Sequence, residues 1–384
     1  MMHIHLDVSR LFKRMLKKRM FTGIDRTDLA YIERYGSHAS ATLSVRGFHT
    51  TLSRHASAAL FETIRHYHAH GRGPAPQRMM RIAAGAMQKI PSGATLLHTS
   101  HSGAEYARYF RSVSQCGARV VCMVHDLIPL THTEYCRAGT ARLHEARVRS
   151  ALSTSAGLIT NSRATLDAVI HYASNNGLQV PPAIVAKLGP GMNVDDVVSA
   201  PLDRPYFVMV GTIEPRKNHW FILHVWRRLV ERLGSNAPTL VMIGSRGWKY
   251  GNVTDMLAEC ERIRPSIIHE PNCDDTRLHA WLKHARALLF PSFAEGYGMP
   301  VVEALACGVP VLASNLPVFR EYAADVPDYL DPLDGPAWEE RIISYADRES
   351  DDRSRQMKRI ETYRAPTWNA HFAEVDRFLE RFGQ

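Results

Sequence analysis

The sequence predicts an α/β protein made of two doubly wound halves. Three observations carry this: a strand, glycine turn and helix at the start, two successive series of strands and helices, and a proline-broken stretch between them. At 384 residues the chain exceeds what one hydrophobic core usually supports, so two domains of similar size follow from length. His3 to Val8 reads as the first strand. A basic segment follows, then Phe21-Thr22-Gly23-Ile24-Asp25-Arg26, a turn that opens a helix from Thr27 to Tyr35. Strand, glycine turn and helix together begin a Rossmann-like half.

The alternation continues through strands at Ala41 to Val45 and Thr95 to His98, with a helix from Ser53 to His70 and a Gly/Pro loop at Gly71 to Pro76 between them. Arg119 to His125 is a strongly β-branched strand, and Ala141 to Thr154 is helical by period. Gly157 to Thr160 is a short strand running into Asn161-Ser162, a cap for the helix Arg163 to Tyr172. Ile184 to Leu188 precedes the breaker cluster Gly189-Pro190-Gly191. Asp195 to Pro205 lacks periodicity and carries two prolines, which places the domain linker there.

The pattern then restarts. Tyr206 to Val210, Thr239 to Ile243 and Ile267 to Glu270 read as strands, and Asn218 to Leu233, Val253 to Arg264 and Thr276 to Ala285 as helices. Leu288-Leu289-Phe290 is a buried strand ending at Pro291-Ser292. Pro300 suits the first turn of a helix from Val301 to Cys307, and Gly308 stops it before a strand from Val309 to Ala313. Thr367 to Phe382 is an amphipathic helix. Two βα series imply ligand binding at the carboxyl ends of the strands, in a cleft faced by both domains.

Composition excludes several classes. No apolar run approaches the roughly 20 residues of a membrane span, and the amino terminus lacks a signal peptide's apolar core, so a cytoplasmic protein is expected. Six cysteines without a Cys-x-x-Cys pair predict reduced thiols, with neither zinc nor disulfides. The formal charge of +9 favours anionic partners. Between Arg10 and Arg19 six basic residues surround Leu11, Phe12, Met15 and Leu16, and helical spacing puts the apolar ones on one side. Two readings stay open for residues 10–21: a helix at the inner face of a membrane, its lysines among anionic headgroups, or a surface helix packing its stripe on the core. Nucleic acid is disfavoured, because no aromatic-basic motif or recognition helix accompanies the charge.

The chemistry concentrates in Glu295-Gly296-Tyr297-Gly298-Met299-Pro300-Val301-Val302-Glu303. Two carboxylates flank a glycine turn that opens a helix, whose free N–H groups and positive dipole end suit a diphosphate. Glu295 as a loop acid and Glu303 as a solvated helix acid is the competing reading. Gly211-Thr212-Ile213-Glu214-Pro215-Arg216-Lys217 follows a strand end, where Arg supplies a planar fork and Lys a mobile point charge for phosphate oxygens. A solvated surface pair is the alternative there. His125-Asp126 ends a strand and should face the cleft, although with twenty histidines in the chain many are structural.

From Pro291-Ser292 through Glu295 to Met299, and on to Glu303-Ala304-Leu305-Ala306-Cys307-Gly308-Val309-Pro310-Val311, the sequence closely resembles the donor-site motif of retaining glycosyltransferases of family 4. The resemblance covers Tyr206 to Tyr322 best, and the first half through His125-Asp126 and Asn161-Ser162-Arg163. It implies a GT-B fold: residues 1–195 as an acceptor-binding domain, 205–366 as a nucleotide-sugar domain, and 367–384 as a helix crossing back to the first. It implies that Glu303 accepts from the ribose hydroxyls, that Glu295 contacts the donor sugar, and that backbone N–H groups of Gly296, Tyr297, Gly298 and Met299 hold its hydroxyls. Arg216 and Lys217, beside Gly211 and Thr212, would neutralise the diphosphate with no metal or other cofactor. His125 would position the sugar, with Asp126 as its orienter or an acceptor-side group. Thr22, Gly23 and Arg26 correspond to the family's glycine loop, but without its double glycine; a plain helix cap explains Thr22 and a surface charge Arg26.

The pattern is similar to bacterial mannosyl- and rhamnosyltransferases of surface polysaccharides, which implies GDP-mannose as donor and a glycan or lipid-linked acceptor. The same fold hosts sugar-nucleotide epimerases and phosphorylases. An epimerase normally lacks the Glu-to-Glu motif, and a phosphorylase needs a pyridoxal lysine pocket that the sequence does not display.

Overall fold

The computed structural model describes residues 3–71, 73, 76–85, 89–192 and 197–382. The chain divides into two compact units. Unit 1 comprises Met1–Thr131, Ala138–Leu188 and Trp368–Gln384; unit 2 comprises His132–Arg137 and Gly189–Thr367.

Unit 1 is built on a seven-stranded sheet. Its strands are β1 (Ile4–Asp7), β2 (Ser40–Val45), β3 (Phe48–Thr51), β4 (Thr95–His98), β5 (Arg119–Val124), β6 (Gly157–Thr160) and β7 (Ala183–Val185), in the order β3-β2-β1-β4-β5-β6-β7. All neighbours run parallel except β2 and β3, a hairpin with Val45 opposite Phe48. β1, β4 and β6 are buried along their whole length; β4 and β6 carry adjacent apolar pairs, Leu96-Leu97 and Leu158-Ile159, while β1 buries His5 and Asp7 between and beside Ile4 and Leu6. Tyr109, Phe110, Val120 and Leu158 lie in the core of this unit, all at 0% exposure. Each such side chain contributes about 2 kcal/mol by leaving water.

Unit 2 carries a fully parallel six-stranded sheet of β8 (Tyr206–Val210), β9 (Thr239–Ile243), β10 (Ile267–Glu270), β11 (Leu288–Phe290), β12 (Val311–Ser314) and β13 (Asp328–Leu330), in the order β10-β9-β8-β11-β12-β13. The direction of winding reverses between β8 and β11, joined through Leu288 and Val208. In open sheets of this type ligands bind beyond the carboxyl ends of the strands at such a reversal. Phe207, Trp226, Trp338 and Tyr345 fill the core beside it. The α/β class with two Rossmann-like sheets is thus the architecture found.

Several boundaries differ from the sequence reading. The helix expected from Thr27 begins at Gly23, because Thr22 and Asp25 form a capping box, and Gly23 is a helical residue rather than a loop glycine. The expected linker begins with Asp195 and Asp196, which lie outside the described residues, whereas the division into units falls between Leu188 and Gly189. Gly191 belongs to unit 2, where its N–H donates to Glu303 Oε1 at 3.1 Å. The hairpin strand β3 and the helices Pro76–Ala84 and Arg108–Gln115 were not foreseen.

The helix Trp368–Glu380 completes unit 1. Tyr31 Oη lies 3.0 Å from His371 Nε2, and Tyr35 Oη donates to Asp376 Oδ1 at 2.6 Å. Phe378 fits so closely over Gly157 that a Cβ there would come within 2.6 Å of its ring. The basic helix Ser9–Leu16 packs Leu11 and Met15 into the same unit, leaving 0% and 1% of them exposed. Two residues of its apolar stripe thus pack on the core, while Leu16 of the same stripe is 54% exposed. All six cysteines are free thiols, and no helix among the described residues is long and apolar enough to cross a membrane.

Candidate active site

The winding reversal of unit 2 brings two loops together. One follows β8 and runs from Gly211 to Lys217; the other follows β11 and runs from Pro291 to Gly298. The Phe293 N–H donates to the Arg216 carbonyl at 2.8 Å and Arg216 Nη1 to the Ala294 carbonyl at 3.0 Å, which straps them together. Tyr135 stacks flat on Phe293 with ring centres 5.1 Å apart.

Glu295 sits between two cations. Lys217 Nζ is 2.6 Å from its Oε1 and Arg216 Nη1 2.7 Å from its Oε2, while Arg216 Nε reaches Glu214 at 2.7 Å. Burial works against a charged Glu295, yet Arg216 and Lys217 override it and hold its pKa at about 2. Burial lowers the Lys217 pKa and Glu295 draws it back up. The ammonium also lies 4.5 Å from the centre of the Phe290 ring. The loop acid and surface pair that the sequence left open are therefore one buried ionic group.

The remaining donor-side residues surround this group. Gly211 donates its N–H to Ile243 at 2.9 Å, and Gly247 packs against Thr212. Gly298 caps the helix Met299–Ala306 with φ +89°, where any side chain would collide with the Phe319 ring at 2.5 Å. Tyr297 and Met299 are buried, and the Tyr322 hydroxyl donates to the Tyr297 carbonyl at 2.9 Å. Glu303 is buried on that helix with Gly191 on its carboxylate. Glu214, Gly191 and Tyr322 were not singled out from sequence. Glu214 stood inside the quoted loop, and its acid beside Arg216 was the available signal.

The other expected residues lie in unit 1 and are described there by themselves. Thr22 is exposed and caps a helix, both its N–H and its hydroxyl donating to Asp25 Oδ2 at 2.7 Å. Asp25 is fully buried and paired to Arg10 at 2.7 Å and Arg14 at 2.9 Å. Gly23 is exposed in the first helical turn, and the Arg26 N–H donates to the Thr22 carbonyl at 2.9 Å. His125 is 4% exposed, with Nε2 2.6 Å from the Thr99 carbonyl. Asp126 caps the short helix Ile128–Thr131 through the Ile128 N–H at 3.0 Å. His101 and His144 complete a histidine group around His125, neither visible in advance.

Residues 194–356, which hold the ionic group and Glu303, match the glycosyl transferases group 1 family. The chain carries a glycosyl transferases group 1 domain. The chain is 29% identical over 244 residues to the serotype-specific mannosyltransferase WbdA of Escherichia coli, covering 59% of this chain and 30% of that protein. It is 27% identical over 237 residues to the O-antigen chain mannosyltransferase B of Escherichia coli, covering 59% and 60%. The chain therefore spans less than two thirds of the length of either relative. Among solved structures, Anabaena HepE in complex with UDP and glucose superposes over 99% of this chain and 100% of its own with a TM-score of 0.68. At 13% identity that likeness concerns the fold that carries the group 1 domain.

Proposed function

We propose that the protein is a retaining glycosyltransferase that moves mannose from GDP-mannose to a glycan or lipid-linked acceptor in surface polysaccharide synthesis. The observation that carries this reading is the buried Glu295–Arg216–Lys217 group at the winding reversal of the group 1 domain. Two cations fixed before a ligand arrives stabilise the charge that develops on a departing diphosphate without reorganisation. Glu303 faces the ribose hydroxyls, Glu295 the sugar, and the turn from Gly296 to Met299 supplies backbone donors. The bond from the sugar to the diphosphate breaks while the acceptor oxygen bonds from the same face, and the acceptor proton passes to the leaving phosphate oxygen. Arg216 and Lys217 do the electrostatic work for which other transferases use a metal. The mannose assignment draws its support from the two O-antigen relatives.

Contact with an anionic membrane is a further part of the proposal. With Leu11 and Met15 buried, it falls to the exposed Leu16 and Met20 among Lys13, Lys17, Lys18 and Arg19. Loss of liposome binding when the three lysines are neutralised, with donor hydrolysis unchanged, is the expected result.

The decisive experiment is a thermal-shift panel of GDP, UDP, ADP and dTDP, first without metal and then with magnesium. A ligand of the native state raises the melting temperature by mass action. Selective stabilisation by GDP without metal, followed by mannose transfer from GDP-mannose, is expected. Stabilisation by another diphosphate replaces the donor, and no response to any of the four removes the transferase reading.

A further inference from the structure

Two cations and two carboxylates meet at the winding reversal of unit 2. Glu295 spends both carboxylate oxygens there, Oε1 on Lys217 Nζ at 2.6 Å and Oε2 on Arg216 Nη1 at 2.7 Å, and Arg216 Nε turns to Glu214 Oε1 at 2.7 Å. With all four ionised, their charges sum to zero. A neutral group does not attract a diphosphate, and a further anion pressed against two ionised carboxylates is repelled. If Arg216 and Lys217 are to receive phosphate oxygens, one carboxylate must yield its place.

What else holds each group decides which one. Lys217 lays its stem over Gly211, where an added Cβ would come within 3.2 Å of Lys217 Cε, and its ammonium stands 4.5 Å from the centre of the Phe290 ring. Arg216 keeps the Ala294 carbonyl at 3.0 Å, Glu214 on its Nε, and a backbone carbonyl that accepts from the Phe293 N–H at 2.8 Å. Both cations therefore have anchors apart from Glu295. Glu214 meets only the Nε side of Arg216, and its side chain is 17% exposed. Glu295, at 5%, lies across both cations at once, where a phosphate would bridge a fork and a point charge. Its two oxygens on one carbon stand in for two oxygens on one phosphorus.

We infer that Glu295 is an exchangeable counterion: it holds Arg216 and Lys217 in place until a diphosphate displaces it, so that nucleotide binding is coupled to a swing of the Glu295 side chain off both cations. This rests on the proposed diphosphate role of Arg216 and Lys217. It also reconciles two positions of one carboxylate, whose oxygens face cations in the structure and a sugar in the transferase reading.

The test measures binding of inorganic pyrophosphate to the full chain by calorimetry at pH 7. Glu295→Gln keeps the size of the side chain and removes the competing charge, so it should bind pyrophosphate about tenfold more tightly than the parent. Glu214→Gln removes the same charge next door but leaves Glu295 across both cations, so its affinity should stay within about threefold of the parent's. Glu295→Gln also strands a buried cation that an arriving anion pairs again, and pyrophosphate should raise its melting temperature more than the parent's. A crystal of the parent with pyrophosphate, which requires no variant to fold, should show Lys217 Nζ on a phosphate oxygen and Glu295 beyond about 4 Å from both cations. Equal affinity in parent and Glu295→Gln, an equal gain in Glu214→Gln, or both ion pairs intact beside bound pyrophosphate overturns the exchange and leaves the transferase reading standing. No binding of pyrophosphate or of any nucleoside diphosphate to parent or variant overturns both.

Discussion

Replacing Lys217 by Met removes one of the two cations that hold Glu295 in a buried ionic group. The carboxyl falls from its ordinary 4.5 to about 2 although burial opposes the charge. At about 1.4 kcal/mol per tenfold change in proton affinity, this is on the order of 3 kcal/mol in favour of the ionised form. The sign follows from the direction: a depressed carboxyl adds stability that is complete above pH 4.5 and is lost as pH falls toward 2. Without Lys217, Arg216 alone must offset burial. The unfolding free energy at pH 7 should drop by about 3 kcal/mol, the usual cost of stranding one member of a buried pair. Adding Glu295→Gln removes the stranded charge and should restore most of the loss. Urea unfolding followed by tryptophan fluorescence at pH 7, 5 and 4 measures all of this. The gap between parent and Lys217→Met should narrow as pH falls, because the variant's Glu295 takes up its proton first. A loss below about 1 kcal/mol, a gap independent of pH, or no recovery in the double variant would refute the electrostatic account.

Three further outcomes are expected. Gly244→Ala would set a Cβ 2.2 Å from the Gly211 carbonyl oxygen, backbone against backbone at φ +145°, and should cost about 3 kcal/mol in chemical denaturation while weakening nucleotide binding through the Gly211 loop. His371, whose pKa burial drives from 6.5 to about 4, supports folding fully above pH 6.5. That contribution, on the order of 3 kcal/mol, is lost as pH falls toward 4, so unfolding of His371→Gln should depend less steeply on pH between 6.5 and 4. Glu303→Gln should keep the melting temperature of the free protein and lower nucleoside diphosphate affinity about tenfold, read by calorimetry.

The sheets were legible because parallel strands covered on both faces are short apolar runs. Thr95–His98, Gly157–Thr160, Tyr206–Val210 and Thr239–Ile243 fall where such runs were read. Phe48–Thr51 escaped notice because Phe-His-Thr-Thr at a sheet edge has neither a run nor a clean alternation, and is a strand only by pairing with β2. The period of the segment from Arg10 to Arg19 gave the right helical face, but period alone does not say what covers that face. In the site, Arg216, Lys217 and Glu295 were found because their loops carry local patterns. What joins them, an ion group between residues nearly eighty positions apart, exists only after β8 and β11 become neighbours. Thr99 and His101 had no local pattern, since each meets its partner His125 far along the chain.

The return of the helix Trp368–Glu380 to unit 1 reverses the usual order of folding on the ribosome. Nascent domains generally fold as they emerge, the amino-terminal one first. Here the residues of unit 2 are all translated before the aromatic side chains that close over Tyr31, Tyr35 and Gly157 exist. The half made first is finished last. During that interval a greasy surface waits uncovered beside a sheet whose strands are all made, a natural substrate for chaperones, and a transcript cut short within unit 2 yields a protein with neither half sealed.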